Sequence, residues 1–320
     1  MSFSKREKMK IVFMGTPKSA VVSLSRLLDE GHKIVAVYTQ PDKPAGRGKK
    51  MKPSPVKEFA VEKGLKILQP GKIKTSEEIE IFRSHKADIA VVVAYGKILP
   101  LEFLNAFPLG AVNLHFSLLP KYRGAAPVNW AIANGEKITG VTTMKMDEGL
   151  DTGDILLQKE VPIHDDETAV ELMERLSVIG ASLLVETLRS LDKITPQKQD
   201  HNLASYAPIL KKEDGLIDWN MRAYEIANRI RGFQPFPTCF TYYQGKKITI
   251  WKARAVENID EKFFEVGSII RAKGDNLLVA CGNETVLKIE ELQPESKKRM
   301  FVRDFLNGTK LKEGEKFNTP

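Results

Sequence analysis

Asn113, His115 and Asp151 are the residues of this 320-residue chain whose types and placement could do chemistry. An asparagine amide N–H can hold an oxygen on which negative charge develops, an imidazole can move protons, and a carboxylate can stabilise or relay them. The run Ala111-Val112-Asn113-Leu114-His115 reads as a buried strand, and residues two apart on a strand share a face. Two polar side chains side by side on a core strand are costly to bury unless they are satisfied or used. An isolated Asn-x-His is more often a satisfied core pair, so placement has to decide. The strand runs straight into a turn, Ser117-Leu118-Leu119-Pro120, whose two leucines read as exposed, and then into Lys121-Tyr122-Arg123-Gly124. Asp151 lies in the glycine-flanked loop Asp147–Asp154 between two further strands. In open α/β sheets, ligands sit beyond the carboxyl ends of the strands, which is where this places all three residues.

The elements that must hold them alternate. Strands are expected at Ile11–Met14, His32–Tyr38, Lys66–Leu68, Asp88–Ala94, Val141–Met146 and Asp154–Val161. Helices are expected between them at Ser19–Leu28, Val56–Lys63 and Glu77–Ser84, with a long one over Glu167–Leu191 carrying Leu172, Leu176, Ile179 and Leu183. Strands alternating with helices argue for a parallel α/β sheet. Residues 1–191 are therefore expected to form one domain and 192–208, polar and aperiodic, a linker. Residues 209–320 change character: a helix near Arg222–Arg231, short β-rich runs (239–243, 246–255, 267–272, 276–281, 285–292) and a last helix over Lys298–Leu306. Such closely spaced strands suggest a small barrel or sandwich.

Composition narrows the classes. A hydrophobic fraction of 42% supports a real core, no stretch is long and apolar enough to span a bilayer, and the basic start lacks a signal-peptide core. Cys239 and Cys281 are far apart without metal-like spacing, so a reduced, cytoplasmic protein is expected. His32, His85, His164 and His201 are scattered, and no metal site is expected. Gly15-Thr16-Pro17 follows the first strand but matches neither the dinucleotide fingerprint nor a Walker loop, which leaves a tight strand-to-helix turn. The net charge of +8 fits a polyanionic partner as a tendency only.

The stretch from Val112 to Pro127, VNLHFSLLPKYRGAAP, resembles the folate-dependent formyltransferases, and the spacing of thirty-six residues from His115 to Asp151 is also similar to that family's. The resemblance covers nearly the whole chain. It implies a Rossmann-like, mostly parallel sheet with helices on both faces, followed by a C-terminal barrel resembling an OB-fold. It also implies that Asn113, His115 and Asp151 are the catalytic set and that 10-formyltetrahydrofolate is the donor. Tyr95, Gly96 and Ile98 would line the pterin pocket, and the turn Ser117, Leu118, Leu119, Pro120 would shape the folate site. In the chemistry so implied, Asn113 and His115 donate to the oxyanion, while Asp151 orients His115 and relays the amine proton toward N10.

Phe13-Met14-Gly15-Thr16-Pro17 and the basic loop Thr39–Lys50 look like those of family members that act on initiator methionyl-tRNA. From charge alone that loop is a solvated surface segment. The resemblance makes it a tRNA-contacting arm, with Arg47 reaching the acceptor end and Lys49 and Lys50 on phosphates. A monomer with no membrane association is implied. A sugar-nucleotide formyltransferase, a formyltetrahydrofolate hydrolase domain and a non-catalytic tRNA-binding protein remain open, since the first two share the catalytic trio. In the second domain, Phe233, Phe236, Phe240 and Trp251 are expected in packing rather than as stacking platforms for bases.

Overall fold

The computed structural model describes residues 8–45, 50–257 and 264–318. The chain divides into two compact units. The first comprises Met1–Pro127, Ile138–Pro162 and Met173–Ala207; the second comprises Val128–Lys137, Ile163–Leu172 and Pro208–Pro320.

In the first unit the strands are β1 (Lys10–Gly15), β2 (Lys33–Tyr38), β3 (Lys43–Ala45), β4 (Lys50–Lys52), β5 (Ile67–Leu68), β6 (Ile89–Val93), β7 (Ala111–His115), β8 (Arg123–Gly124), β9 (Ile138–Lys145), β10 (Ile155–Pro162) and β11 (Tyr206–Ala207). Seven of them form one sheet in the order β10-β9-β7-β6-β1-β2-β5. The strands from β5 to β7 are mutually parallel, and β9 and β10 add an antiparallel edge. All of β6 and nearly all of β1 is buried without alternation, as expected when both faces of a parallel sheet are covered. From β1 the chain proceeds outward through β2 to β5, and β6 then returns to the other side of β1. That reversal opens a crevice at the carboxyl ends of β1 and β6, the place where such sheets take ligands.

Local chemistry starts the helices where the sequence pattern puts them. Ser54 Oγ accepts from the Lys57 N–H at 3.1 Å to cap Pro55–Glu62, and Thr75 Oγ1 accepts from Glu78 N–H at 3.3 Å to cap Ser76–Ser84. Pro17 precedes the helix Lys18–Asp29 directly. Helices Ser76–Ser84 and Leu101–Leu104 meet through aromatic rings: Phe82 stacks on Phe103 at 4.0 Å, with Phe107 at 4.9 Å and Tyr38 of β2 edge-on at 5.3 Å.

The stretch expected as a linker is fastened to the first unit as far as Ala207. Gln197 and Ile155 exchange backbone hydrogen bonds at 2.8 Å each way, and β11 pairs in parallel with β8. The short hairpin β3–β4 and the helix Pro127–Ala133 were not anticipated from the pattern.

The second unit holds β12 (Cys239–Tyr243), β13 (Lys246–Val256), β14 (Ile269–Lys273), β15 (Asn276–Ala280), β16 (Val286–Pro294) and β17 (Met300–Phe301). They run antiparallel in the order β12-β13-β16-β15-β14, with β17 beside β16. The segment 315–318 bridges both edges: Tyr242 exchanges backbone bonds with Asn318, and Ile269 and Gly267 bond to Glu315 and Phe317. This end of the chain joins β12 to β14 and makes the sheet barrel-like, which covers edges that would otherwise be open. Ile248, Ile250, Leu277, Val279, Leu287 and Ile289 fill the interior together with Trp219 and the helix Ala223–Gly232. The last helix begins at Val302 rather than Lys298, because Met300 and Phe301 take up the ladder with Leu292 and Glu291. Phe233 is fully buried, Phe240 and Trp251 are half-buried, and Phe236 is exposed, so the packing expected for that last ring is not seen within the unit.

Phe82→Ala removes the ring on which Phe103, Phe107 and Tyr38 converge. It should cost about 3–5 kcal/mol, read as a lowered denaturation midpoint of the first unit at unchanged slope.

Candidate active site

Strand β7 carries Asn113 and His115 on one face, opposite Met144 and Thr142 of β9. Asn113 Oδ1 is buried without a hydrogen-bond partner. The N–H side of its amide is therefore what remains for the cavity that Asn113 lines. His115 is nearly buried, and its Nε2 lies 2.9 Å from the Tyr122 carbonyl oxygen. A carbonyl can only accept, so Nε2 carries the proton, and Nδ1 of the neutral ring keeps its lone pair. Nδ1 stands 3.7 Å from Asp151 Oδ2. That distance is an ion-pair separation rather than a hydrogen bond. The ring is thus held by the Tyr122 carbonyl on one side, with the Asp151 carboxylate beside its other nitrogen.

Tyr122 reaches this position through the turn that follows β7. Ser117 Oγ donates to Lys121 O at 2.6 Å, Thr142 Oγ1 donates to Ser117 O at 2.6 Å, and the Leu119 N–H donates to Thr142 Oγ1 at 3.1 Å. Gln158 Nε2 closes the set on Leu119 O at 2.8 Å. Leu119 is buried and Leu118 half-buried against the position of Gly140, so neither leucine is exposed as the pattern suggested. Tyr122 then adopts a left-handed φ of 59°, which turns its carbonyl toward the imidazole.

Asp151 also has a left-handed backbone, φ 53°, a conformation that costs a non-glycine residue about 1–2 kcal/mol. Its Oδ2 accepts the Gly124 N–H at 2.8 Å. Asp147 Oδ1 folds the start of the loop by accepting from the Gly149 N–H at 3.1 Å and from Thr152 Oγ1 at 2.7 Å. Gly153 is required for the loop to lie against β9, since a Cβ there would fall 1.8 Å from the Lys145 carbonyl oxygen.

Asn113, His115 and Asp151 open onto one cavity of about 620 Å³, whose other walls include Pro17–Ser19, Ala94–Leu99, Met144, Met146 and Leu150. Tyr95, Gly96 and Ile98 belong to this wall; Ser117, Leu118, Leu119 and Pro120 do not, and stand behind it. The Tyr95 ring is buried in the core, while its carbonyl oxygen accepts from Thr16 Oγ1 and Gln40 Nε2 at 3.0 Å each. Lys97 Nζ grips the carbonyls of Pro70 and Gly71 at 2.5 and 2.8 Å, and burial lowers the pKa of this ammonium. Arg47 and Lys49 lie outside the described residues, and Lys50 opens β4. The base of that hairpin is held by Asp42, whose carboxyl is kept below its ordinary pKa by Gln69 and Lys57 at 2.8 and 2.7 Å. Sequence reasoning missed Gly124 and Gln199 as supports, because neither signals a role until β8 is seen between β7 and the Asp151 loop.

A mostly parallel sheet with an amide, an imidazole and a carboxylate near its strand ends, followed in the chain by a small antiparallel barrel, has the donor, base and acid groups that group transfer uses. The formyl transferase model matches residues 9–188, and the formyl transferase C-terminal domain model matches residues 209–310. The chain belongs to the formyl transferase family. The methionyl-tRNA formyltransferase of Caldanaerobacter subterraneus subsp. tengcongensis is 50% identical over 309 residues, covering 96% of this chain and 99% of the relative. That of Acetivibrio thermocellus is 49% identical with the same coverage. At this identity over this length, the chain's place within the family is among the methionyl-tRNA formyltransferases. Among solved structures, the sugar 3N-formyl transferase WlaRD with dTDP and 5-N-formyl-THF shares the fold at a TM-score of 0.64 and 21% identity, covering 91% of this chain and 100% of that one. HypX from Aquifex aeolicus, in complex with tetrahydrofolic acid, does so at 0.61 and 15%, covering 98% of this chain and 51% of that one.

Gly153→Ala forces the Asp151 loop off β9. Turnover should fall about 100-fold while far-UV circular dichroism and the cooperativity of unfolding stay as in the parent; unchanged turnover would mean that the loop's seat on β9 is not needed.

Proposed function

We propose that this cavity is where a formyl group passes from 10-formyltetrahydrofolate to the α-amine of initiator methionyl-tRNA, giving the N-formylated aminoacyl-tRNA that starts translation. The observation that carries the reading is the fixed imidazole: Nε2–H is committed to the Tyr122 carbonyl, which leaves Nδ1 beside Asp151 at the cavity wall. The cavity suits the donor. Its volume is in the range that holds a cofactor-sized molecule, its walls mix methionine and leucine with backbone groups of the 94–99 segment, and a buried orphan oxygen on Asn113 marks a polar position with a use. Tyr95, Gly96 and Ile98 would hold the pterin through backbone groups and apolar contact, while Ser117–Pro120 would shape the site from behind. The donor, when bound, supplies a formyl carbon made electrophilic by its amide-like attachment to N10.

The incoming amine must be neutral, and a free α-amino group titrates at about 7.7–8.0, so near neutral pH a useful fraction qualifies. As the amine adds to the formyl carbon, the Asn113 N–H donates to the oxygen that gains charge. His115 Nδ1 takes the proton that the amine must lose, and Asp151 stabilises the resulting imidazolium across 3.7 Å. The same Nδ1–H then donates to the oxyanion, and its proton passes to N10 as the carbon–N10 bond breaks. One proton moves from amine to leaving nitrogen, and the ring ends neutral. The basic segment that follows β3 is proposed as the arm that meets tRNA, with Arg47 reaching the acceptor end and Lys49 and Lys50 on phosphates.

Asn113→Ala and Asp151→Ala should each lower kcat by about 100- to 1,000-fold with the KM for donor within a few-fold of the parent. Near-parental turnover in either variant would remove that residue from the mechanism. Assays run in parallel with methionyl-tRNA, uncharged tRNA and a nucleotide sugar test the acceptor, and only the first should be formylated.

Arg47→Ala, Lys49→Ala and Lys50→Ala should raise the KM for tRNA, leave donor binding untouched, and lower the salt dependence of log KM by about one unit of slope each. A salt slope equal to the parent's would exclude the arm from phosphate contact.

A further inference from the structure

Gln199 comes from the stretch that the sequence pattern marks as a linker, forty-eight residues beyond Asp151, yet it is buried in the wall behind the Asp151 loop. Its Nε2 donates to the carbonyl oxygens of Asp151 at 2.9 Å and Gly153 at 2.7 Å. Its Oε1 accepts from Arg123 Nε at 3.1 Å and Arg123 Nη2 at 2.6 Å. Arg123 is itself 2% exposed, and its Nη1 meets His201 Nδ1 at 3.2 Å. Both amide N–H bonds and the amide oxygen of Gln199 are therefore in use, and the guanidinium fixes which way round the amide stands. The two carbonyls it grips flank Thr152 and follow the left-handed φ of Asp151. Arg123 is one residue before Gly124, whose N–H holds the Asp151 carboxylate. The backbone of the loop and the carboxylate on it are thus held from one strand.

We propose that Gln199 is a positioning residue for Asp151: braced by Arg123, its amide clamps the loop on both sides of Thr152 and sets the carboxylate opposite His115. The proposal rests on the catalytic reading of Asp151 given above. Gln199 touches neither reacting group nor cavity and acts through the loop alone.

Gln199→Glu is the discriminating variant. It is nearly isosteric and still accepts from Arg123, but it turns an oxygen instead of an N–H toward two carbonyls. In the full-length protein, kcat should fall about 10- to 100-fold, with the KM for donor and for methionyl-tRNA each within about twofold and the thermal midpoint near the parent's. In an Asp151→Ala background the same change should cost nothing further, because the clamp then has no carboxylate to place. A folded Gln199→Glu protein with kcat within threefold of the parent would overturn the proposal. So would an equal loss in the Asp151→Ala background, which is what a merely structural role produces. Should Gln199→Glu not fold, Gln199→Met, which fills the space without donors, is read in the same way. Near-parental turnover of Asp151→Ala alone would overturn the catalytic reading of Asp151 itself; an inactive Asp151→Ala beside an active Gln199→Glu overturns only the clamp.

Discussion

The site depends on three consecutive residues, Tyr122, Arg123 and Gly124, each of which fastens a different part of it. The Tyr122 carbonyl holds the His115 ring, the Arg123 guanidinium holds Gln199 behind the Asp151 loop, and the Gly124 N–H holds the Asp151 carboxylate. Arg123 and Gly124 form a strand two residues long that pairs with Tyr206–Ala207, and Tyr122 precedes it. The close approach requires glycine: φ at Gly124 is 119°, and a Cβ there would lie 2.7 Å from the Ala207 carbonyl oxygen. Such short pairing has little stability of its own. What keeps it in place is its buried, partnered groups, the Arg123 guanidinium on Gln199 and the Tyr122 carbonyl on His115: separating either from its partner would leave a desolvated donor or acceptor at a cost of about 1–3 kcal/mol.

The sheet explains why this support stands where it does. The reversal of strand order about β1 opens a crevice, and β6 and β7 deliver the 94–99 segment and the Asn113–His115 pair to its rim. A parallel sheet covered on both faces gives the rim rigidity, and the antiparallel β9 and β10 supply Thr142 and Gln158, the residues that pin the turn after β7. The second hydrogen-bonded set, running from Asp42 through Gln69 to the Gln40 carbonyl and from the Gln40 side chain to the Tyr95 carbonyl, ties the base of the β3–β4 hairpin to the opposite wall of the same cavity. The part of the chain proposed to meet the acceptor and the part proposed to hold the donor therefore share backbone anchors.

Much of this was legible in the sequence, and what was not has a common cause. The alternating polar pair on β7 and the glycines of the Asp151 loop signal locally, within a few residues. The strand–helix alternation and the change to short strands after residue 209 are likewise local patterns. Gln199 sends no such signal, since an amide in a polar stretch looks solvated until the partner carbonyls, forty-eight and forty-six residues back, are seen. β8 and β11 are two-residue strands, too short for a period, and the barrel's closing segment at 315–318 pairs with edges far away in sequence. The misreading of Leu118 and Leu119 as exposed has the same origin. A turn is normally a surface feature, and the Thr142 and Gln158 side chains arriving from β9 and β10 make this one part of the interior.

The strain in the site has a physical direction. Tyr122 and Asp151 both occupy left-handed backbone that neither residue type prefers, and both are turned by it toward His115. An unstrained loop would leave the carbonyl and the carboxylate free to find water, and the histidine free to choose its tautomer. Holding the carbonyl on Nε2 removes that choice before any ligand arrives, which is the preorganisation that the proposed proton transfer requires. Asn113 completes the logic from the other side: its Oδ1 is left buried and unpartnered, a local loss of stability that the surrounding strands tolerate, and the amide is aimed by that burial rather than by a hydrogen bond. The fold thus gives up stability at these positions to fix the directions of the proposed donor and the proposed base, beside the hydrogen-bonded network around Arg123 and Gln199.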